Sequence, residues 1–210
     1  MSHFKTLAGA AALSLFSSAA FAVVIDPDAF ADGTDISNAF SGVTLSTVFA
    51  GVGDPAIDIT GTGAVYSHTT GTASTGTRGF AHSVTNELWG NGSFEYLRAD
   101  FAAGASSVSL DFINNDNSDN NAELLAFDGM GNLVDSMLFA ANLNGPETLT
   151  VSGNISYVFA YWDQANRLDN GALDNLQYTA AVPLPAAMPL MIGAFGAMGI
   201  AARRRKARKA

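Results

Sequence analysis

The sequence contains no cysteine and few charged residues, which make up only 14% of its 210 positions. An average soluble protein carries about 25% charged residues. The absence of cysteine excludes a disulfide framework, a thiolate zinc site, an iron–sulfur cluster and a cysteine nucleophile. Between positions 23 and 182 there are three basic residues, against all 19 carboxylates of the chain, which leaves a net charge of −16. This balance argues against a nucleic-acid partner, which needs a basic face.

The other basic residues stand at the two ends of the chain, next to apolar runs. Lys5 precedes an apolar run at positions 7–16, and Ala20-Phe21-Ala22 follows as a small-x-small cleavage site. This pattern is typical of a secretory signal peptide over residues 1–22, with the mature chain beginning at Val23. It predicts export through the Sec machinery and cleavage by signal peptidase.

The C-terminal end carries a second apolar segment. Residues 186–202 are uncharged and, as a helix, would extend about 25 Å, at the short end for a single transmembrane helix. A basic tail follows and would stay in the cytoplasm, so the body of the chain is left outside. The segment is preceded by Val182, Pro183, Leu184 and Pro185, and the tail begins with Arg203, Arg204, Arg205 and Lys206.

This order of parts over residues 182–210 resembles the PEP-CTERM sorting signal, in its VPLPA variety because Leu184 replaces the usual glutamate. The resemblance implies recognition by an exosortase, a membrane-embedded cysteine transpeptidase that cleaves near the proline motif. An intermediate anchored in the inner membrane would then be passed to the cell surface or the extracellular space. A simple C-terminal tail anchor with a proline-bearing linker is the alternative.

The body, residues 23–181, shows the pattern of an all-β domain. Short alternations of apolar and polar residues are separated by clusters of Gly, Asn, Asp, Ser and Thr. We predict an antiparallel β-sandwich of the jelly-roll kind. Its strand order resembles β-sandwich ectodomains that stand ahead of this sorting signal and, in turn, galactose-binding-like carbohydrate modules. The predicted strands are 42–49, 94–101, 108–113, 123–128, 133–139, 155–162 and 173–180, with a hairpin turn at 129–132.

Motifs for catalysis are missing from the body. It has no Gly-x-Ser-x-Gly elbow and no phosphate-binding glycine loop. His68 and His82 lack the spacing of a zinc site, and each is expected to be a lone surface or half-buried residue. A glycosidase needs two carboxylates across a cleft, but among 19 the sequence selects no pair. We therefore expect no enzyme.

Calcium is the one metal for which the sequence offers candidate ligands. The turn at 26–33 is rich in aspartate, and Asp174 lies on the closing strand. The resemblance to galactose-binding-like modules implies a structural calcium between the first and last strands, with Asp28, Asp32 and Asp174 as ligands. The alternative is that these residues form turns on an acidic surface.

Aromatic residues are the candidates for contact with sugars. Trp89, beside Gly90 and Asn91, is expected to lie exposed in a loop. Tyr157, Phe159 and Tyr161 share one face of a strand, so either they or the residues between them face the core. Most of these rings are expected to serve packing.

These features together predict an exported surface or matrix protein with a structural or adhesive role among exopolysaccharides. The alternatives are a carbohydrate-binding module and, less favoured, a secreted hydrolase.

Overall fold

The computed structural model describes residues 22–50, 59–71, 73–85, 89, 95–114, 120–141, 145–163 and 171–181. The predicted signal peptide up to residue 21, the proline motif, the helix at 186–202 and the basic tail lie outside these residues. Within the described part, no helix has the length and hydropathy needed to cross a membrane. Its strands are β1 (Ala22–Ile25), β2 (Val43–Ala50), β3 (Ile59–Gly63), β4 (Tyr66–Thr69), β5 (Arg78–Ala81), β6 (Glu95–Asn114), β7 (Asn120–Phe127), β8 (Leu133–Ala141), β9 (Pro146–Asp163) and β10 (Gly171–Ala180).

The strands form one antiparallel sheet with two layers. Its main path runs β4-β5-β10-β6-β9-β7-β8, while β1 pairs with β10, and β2 pairs with both β3 and β6. The long strand β6 pairs with β2 through Phe101 and with β10 from Ala105 onward. Gly104, at φ 73°, lies where the partner changes. β9 pairs with β6 from Pro146 through Ala160, and from Tyr157 onward it also pairs with β7.

The larger of two hydrophobic clusters, here called the main core, joins the two halves of this sheet. Leu45, Leu97 and Leu124 come from one half, Leu110 and Leu176 come from the other, and all five are buried in the same cluster. The two halves therefore face each other as a sandwich. Burying each such leucine contributes about 1.5–3 kcal/mol, which is what holds the layers together.

The structure confirms the predicted all-β antiparallel sandwich and changes its details. The predicted strands 94–101 and 108–113 are one strand, β6, because a register shift near Gly104 bends the chain without ending the pairing. β9 likewise begins at Pro146, well before the predicted residue 155. The two layers are consequently one continuous sheet, where separate sheets were predicted. The finer jelly-roll and galactose-binding-like classification stays a prediction.

Candidate functional site: an aromatic sheet face

On the side of one layer that faces away from the main core, where a sandwich normally presents polar residues, apolar and aromatic side chains form a second cluster. Most of this cluster is buried, and only Tyr157 and Tyr161 are partly exposed. Along β9, Val158 and Trp162 point into the main core, and the residues that alternate with them point to the other face. There they meet apolar residues from β2, β6 and β7. We call this surface the aromatic face, and it comprises Val48, Tyr96, Leu125, Phe127, Tyr157, Phe159 and Tyr161.

The rings of the aromatic face pack against each other in an ordered row. Tyr157 stacks on Phe127 with 5.1 Å between ring centroids and 8° between planes. The guanidinium carbon of Arg98 lies 4.1 Å from the centroid of Tyr157, a cation–π distance. Tyr96 and Tyr161 meet edge to face at 4.7 Å. The rings therefore support each other, and the parts of the cluster that reach its surface are Arg98 and the partly exposed rings of Tyr157 and Tyr161.

Polar groups cross the aromatic face. Arg98 donates two hydrogen bonds to Asp100, from Nε at 2.7 Å and from Nη2 at 2.6 Å. The Tyr161 hydroxyl donates to the carboxylate of Glu123 on the neighbouring strand. The hydrogen bonds to Asp100 raise the pKa of Arg98, and burial raises the pKa of Tyr157. The face therefore offers a guanidinium, phenol and carboxyl groups for hydrogen bonding.

The apolar surface continues onto the neighbouring strand β8. Leu133 and Leu138 are each 56% exposed, although both are large apolar residues. Leu138 lies opposite Glu123, and Leu133 lies opposite Phe127 in the register of β7 and β8. The aromatic face therefore extends into a strip of exposed leucine side chains.

Trp89 is not on the surface, so the expectation of an exposed sugar contact there is wrong. Its side chain has no solvent exposure, and the indole N–H donates to the carbonyl oxygen of Phe80 at 2.9 Å. Its backbone forms a bridge with Gly171 at the start of β10. The long-range partner, which local sequence does not reveal, places this ring in the core.

Asp174, predicted to bind calcium, accepts hydrogen bonds from the chain itself. One oxygen, Oδ2, accepts from the backbone N–H and the hydroxyl of both Ser74 and Thr75. The other oxygen accepts from the backbone N–H of Asn175. These donors, among which the Ser74 hydroxyl is shared with Asp111, surround both oxygen atoms that a cation would need.

The other two predicted ligands lie in different surroundings. Asp28 Oδ1 accepts from Thr77 N at 2.9 Å, whereas Asp32 Oδ1 accepts from Thr69 N and lies 3.2 Å from the imidazole of His68. Among the described residues, no three carboxylate or histidine side chains are grouped for a metal ion. The described residues do not bring Asp28, Asp32 and Asp174 together as one ligand set, and calcium stays a prediction.

Ser74 joins Asp174 to a second buried carboxylate. Asp111 lies opposite Asp174 in the pairing of β6 with β10. The Ser74 hydroxyl lies 2.7 Å from an oxygen of Asp111 and 2.9 Å from one of Asp174. A hydroxyl has one proton and donates to only one carboxylate at a time. Burial raises the pKa of Asp174, against the opposing effect of its N–H and hydroxyl donors.

Both histidines of the body lie next to carboxylates, although lone residues were expected. His82 Nε2 lies 3.2 Å from Glu95 Oε2, and its ring packs edge to face on Trp89. His68 lies beside Asp32, as described above. Both side chains are largely buried. The sequence holds no local sign of these pairs, because their members come from different strands or loops.

Arg98 and Asp100 were not selected from the sequence as site residues. Their spacing of two positions places both on one face of β6, the face that carries Tyr96. An Arg-x-Asp pair alternating with apolar residues was therefore available as a sign. Its meaning depends on Tyr157, which only the pairing of β6 with β9 brings beside it.

No protein-family model matches the chain. No curated protein matches it either. Solved structures are similar at 12–17% identity. The K2 cleaved adhesin domain of Lys-gingipain shares 17% identity over 76% of this chain and 99% of its own, with a TM-score of 0.48.

Two carbohydrate-binding modules are similar at lower scores. The CBM36-1 domain of a multidomain xylanase from the hindgut metagenome of Trinervitermes trinervoides has 13% identity, covers 67% of this chain and 99% of its own, and has a TM-score of 0.33. The family 11 module from Clostridium thermocellum, solved with a β-1,3-1,4-mixed-linked tetrasaccharide, has 14% identity, coverage of 80% and 100%, and a TM-score of 0.32. Scores of this size carry no argument about the function of this chain.

Proposed function

We propose that this chain is an exported, non-catalytic surface or matrix protein that binds glycan chains on its aromatic face. The observation that carries the proposal is the combination of the partly exposed rings of Tyr157 and Tyr161 with the Arg98–Asp100 pair and the Glu123 carboxyl group beside them. Sugar rings have apolar C–H faces and a rim of hydroxyls. A site for them therefore needs apolar surface together with a few well-placed polar groups.

The position of the polar groups supports binding. The Arg98 side chain is 25% exposed and that of Asp100 is 40% exposed, so both reach solvent while the Arg98 guanidinium lies over the Tyr157 ring. Such half-exposed groups lose little hydration before a ligand arrives and can exchange water for sugar hydroxyls. The adhesive role predicted from the sequence is included in this proposal, because glycan binding at the cell surface is one form of adhesion, and the carbohydrate-binding alternative becomes its mechanism.

The buried carboxylates support a role without catalysis. Asp111 and Asp174 share the Ser74 hydroxyl, and both are buried beneath the segment that holds Ser74 and Thr75. A glycosidase needs its two carboxyl groups open to the substrate on either side of the scissile bond. These two carboxyl groups could serve a hydrolase only if that segment moved and exposed them to the substrate.

Delivery to the surface rests on the two ends of the sequence. The signal peptide, the proline motif and the basic tail lie outside the described residues. Their roles are proposed from the sequence alone. In this proposal an exosortase removes the segment after the proline motif, and the membrane contact of residues 186–202 is transient.

Affinity electrophoresis of the full-length protein tests glycan binding. We expect a gel containing exopolysaccharide from the producing cells to retard the protein, and we expect Tyr157→Ala and Arg98→Ala to abolish the retardation. Gln177→Ala, on β10 in the opposite layer, is the matched control and should migrate like the wild type. Thermal melting of each variant separates loss of the site from loss of the fold. Unchanged retardation in both folded variants would contradict the proposal.

A further inference from the structure

We infer that the aromatic face selects uncharged glycans and excludes polymers of uronic acids or sulfated sugars. This inference rests on the proposed function and adds the chemical class of the ligand. It follows from the balance of charges around the face and from the hydrogen bonds already formed by the one cation there.

The charges on the face are mainly negative. Arg98 is the one basic residue between positions 79 and 166. Against it stand Asp100, Glu123 and Asp128, the last in the turn whose Gly131 approaches the Tyr157 hydroxyl. A polyanionic chain on this surface would meet two more negative charges than positive ones, at separations where repulsion is weakly screened.

The charge of Arg98 is also already paired with the carboxyl group of Asp100, so an anion gains less from it. Both of its hydrogen bonds to Asp100 are short, and the pair has bidentate geometry. A sugar carboxylate would have to displace Asp100 to obtain the same bonds. A hydroxyl needs no displacement, because it can accept from a free N–H of Arg98 and donate to Asp100 or Glu123 at once.

The register of the strands gives the direction of the ligand. Asp100, Tyr157 and Phe127 lie opposite one another across β6, β9 and β7, and Leu133 of β8 lies opposite Phe127. Four strands span about 14 Å at the usual strand spacing. A short neutral oligosaccharide lying across the strands would run from the polar Arg98–Asp100 pair to the exposed leucines.

The test compares neutral and acidic polymers with one charge variant. The full-length protein is run in gels containing a β-glucan, a galactomannan, alginate or polygalacturonate, at low salt. We expect retardation by a neutral polymer and none by the acidic ones. Asp100→Asn should weaken neutral binding about tenfold, because it removes an ionised acceptor. It should also allow retardation by alginate, since the positive charge of Arg98 would no longer be paired with a carboxylate at position 100. Asp35→Asn makes the same charge change away from the face and should have no effect.

The possible outcomes distinguish a failure of this inference from a failure of the proposed glycan binding. Retardation by a neutral polymer that Asp100→Asn weakens and Asp35→Asn leaves intact supports both. Retardation only by acidic polymers overturns the inference and leaves glycan binding standing. Absence of retardation in all four polymers and in the native exopolysaccharide overturns both. Melting curves confirm that Asp100→Asn remains folded.

Discussion

At the scale of single residues, Gly171 shows how closely the core is packed. A methyl group at this position would lie 2.6 Å from the backbone oxygen of Ile113 and would also collide with the indole ring of Trp162. The backbone of Gly171 pairs with that of Trp89, so the chain cannot move aside without breaking these bonds. The missing side chain is therefore a requirement of the packing.

This packing predicts that Gly171→Ala destabilises the protein by about 3 kcal/mol, the upper end of the usual cost of overpacking. Gly71→Ala is the matched control, because a methyl group there has no neighbour within 4 Å. Its effect should stay within about 0.5 kcal/mol. Urea unfolding of the full-length protein gives both values. Equal stability of the two variants would contradict the close packing described for the start of β10.

Asp174 predicts a dependence of stability on pH. Its pKa is raised in the folded protein by burial, so the folded state holds its proton more tightly than the unfolded state does. The stabilisation from this group is complete below the ordinary aspartate pKa. It declines as the pH rises from that value through the raised one.

The variant Asp174→Asn tests this account. It cannot titrate, so the decline assigned to Asp174 should be absent from its curve of unfolding free energy against pH. At neutral pH it should also lose about 1–3 kcal/mol, because the backbone N–H of Asn175 would face an amide donor. An unchanged pH slope would mean that Asp174 does not titrate as described.

At the scale of elements, β9 shows what sequence periodicity predicts and where it stops. The alternation of Tyr157, Phe159 and Tyr161 with other apolar residues predicted a strand and predicted that these three share a face. Both predictions are confirmed. Which face is outside could not be predicted, because both sets are apolar and the usual polar side is missing. The neighbouring strands β7 and β6 determine which face carries these rings, because their own outward residues pack against them.

The segment between β4 and β5 predicts the response to calcium removal. Ser74 and Thr75 donate to Asp174, and Thr77 donates to Asp28, so these carboxylates bind the chain itself. These hydrogen bonds favour an unchanged melting temperature in EDTA, whereas the calcium implied by the resemblance would make EDTA lower it. A lower melting temperature in EDTA, restored by added calcium, would show that the resemblance to calcium-bearing modules gave the correct ligand.

At the scale of the whole molecule, the distribution of charge along the sequence agrees with the predicted export. The body carries a net charge of −16, whereas the basic residues beyond it are confined to the two ends. Removal of both ends would leave a strongly acidic protein, which its own repulsion keeps soluble outside the cell. Export is thus the step that the sequence predicts most directly, and the binding face is the part that required the pairing of strands.

The sorting proposal predicts the effect of the proline motif. Replacing Pro183 and Pro185 together with alanine should leave unprocessed protein in the membrane fraction, detected by its intact mass with residues 203–209 retained. Pro146→Ala, at the start of β9, is the control and should be processed normally. Normal release of the double variant would favour another route to the surface, and retention of the tail in the wild type would indicate a simple tail anchor.

The measurement that tests the central claim most directly is a carbon-13 NMR titration of tyrosine-labelled full-length protein with a neutral oligosaccharide. The chain has five tyrosines, of which Tyr96, Tyr157 and Tyr161 belong to the aromatic face, while Tyr66 and Tyr178 lie elsewhere. We predict shifts at Tyr157 and Tyr161 and none at Tyr66 or Tyr178. Shifts confined to Tyr66 or Tyr178, or no shift at all with a glycan that retards the protein, would contradict binding at this face.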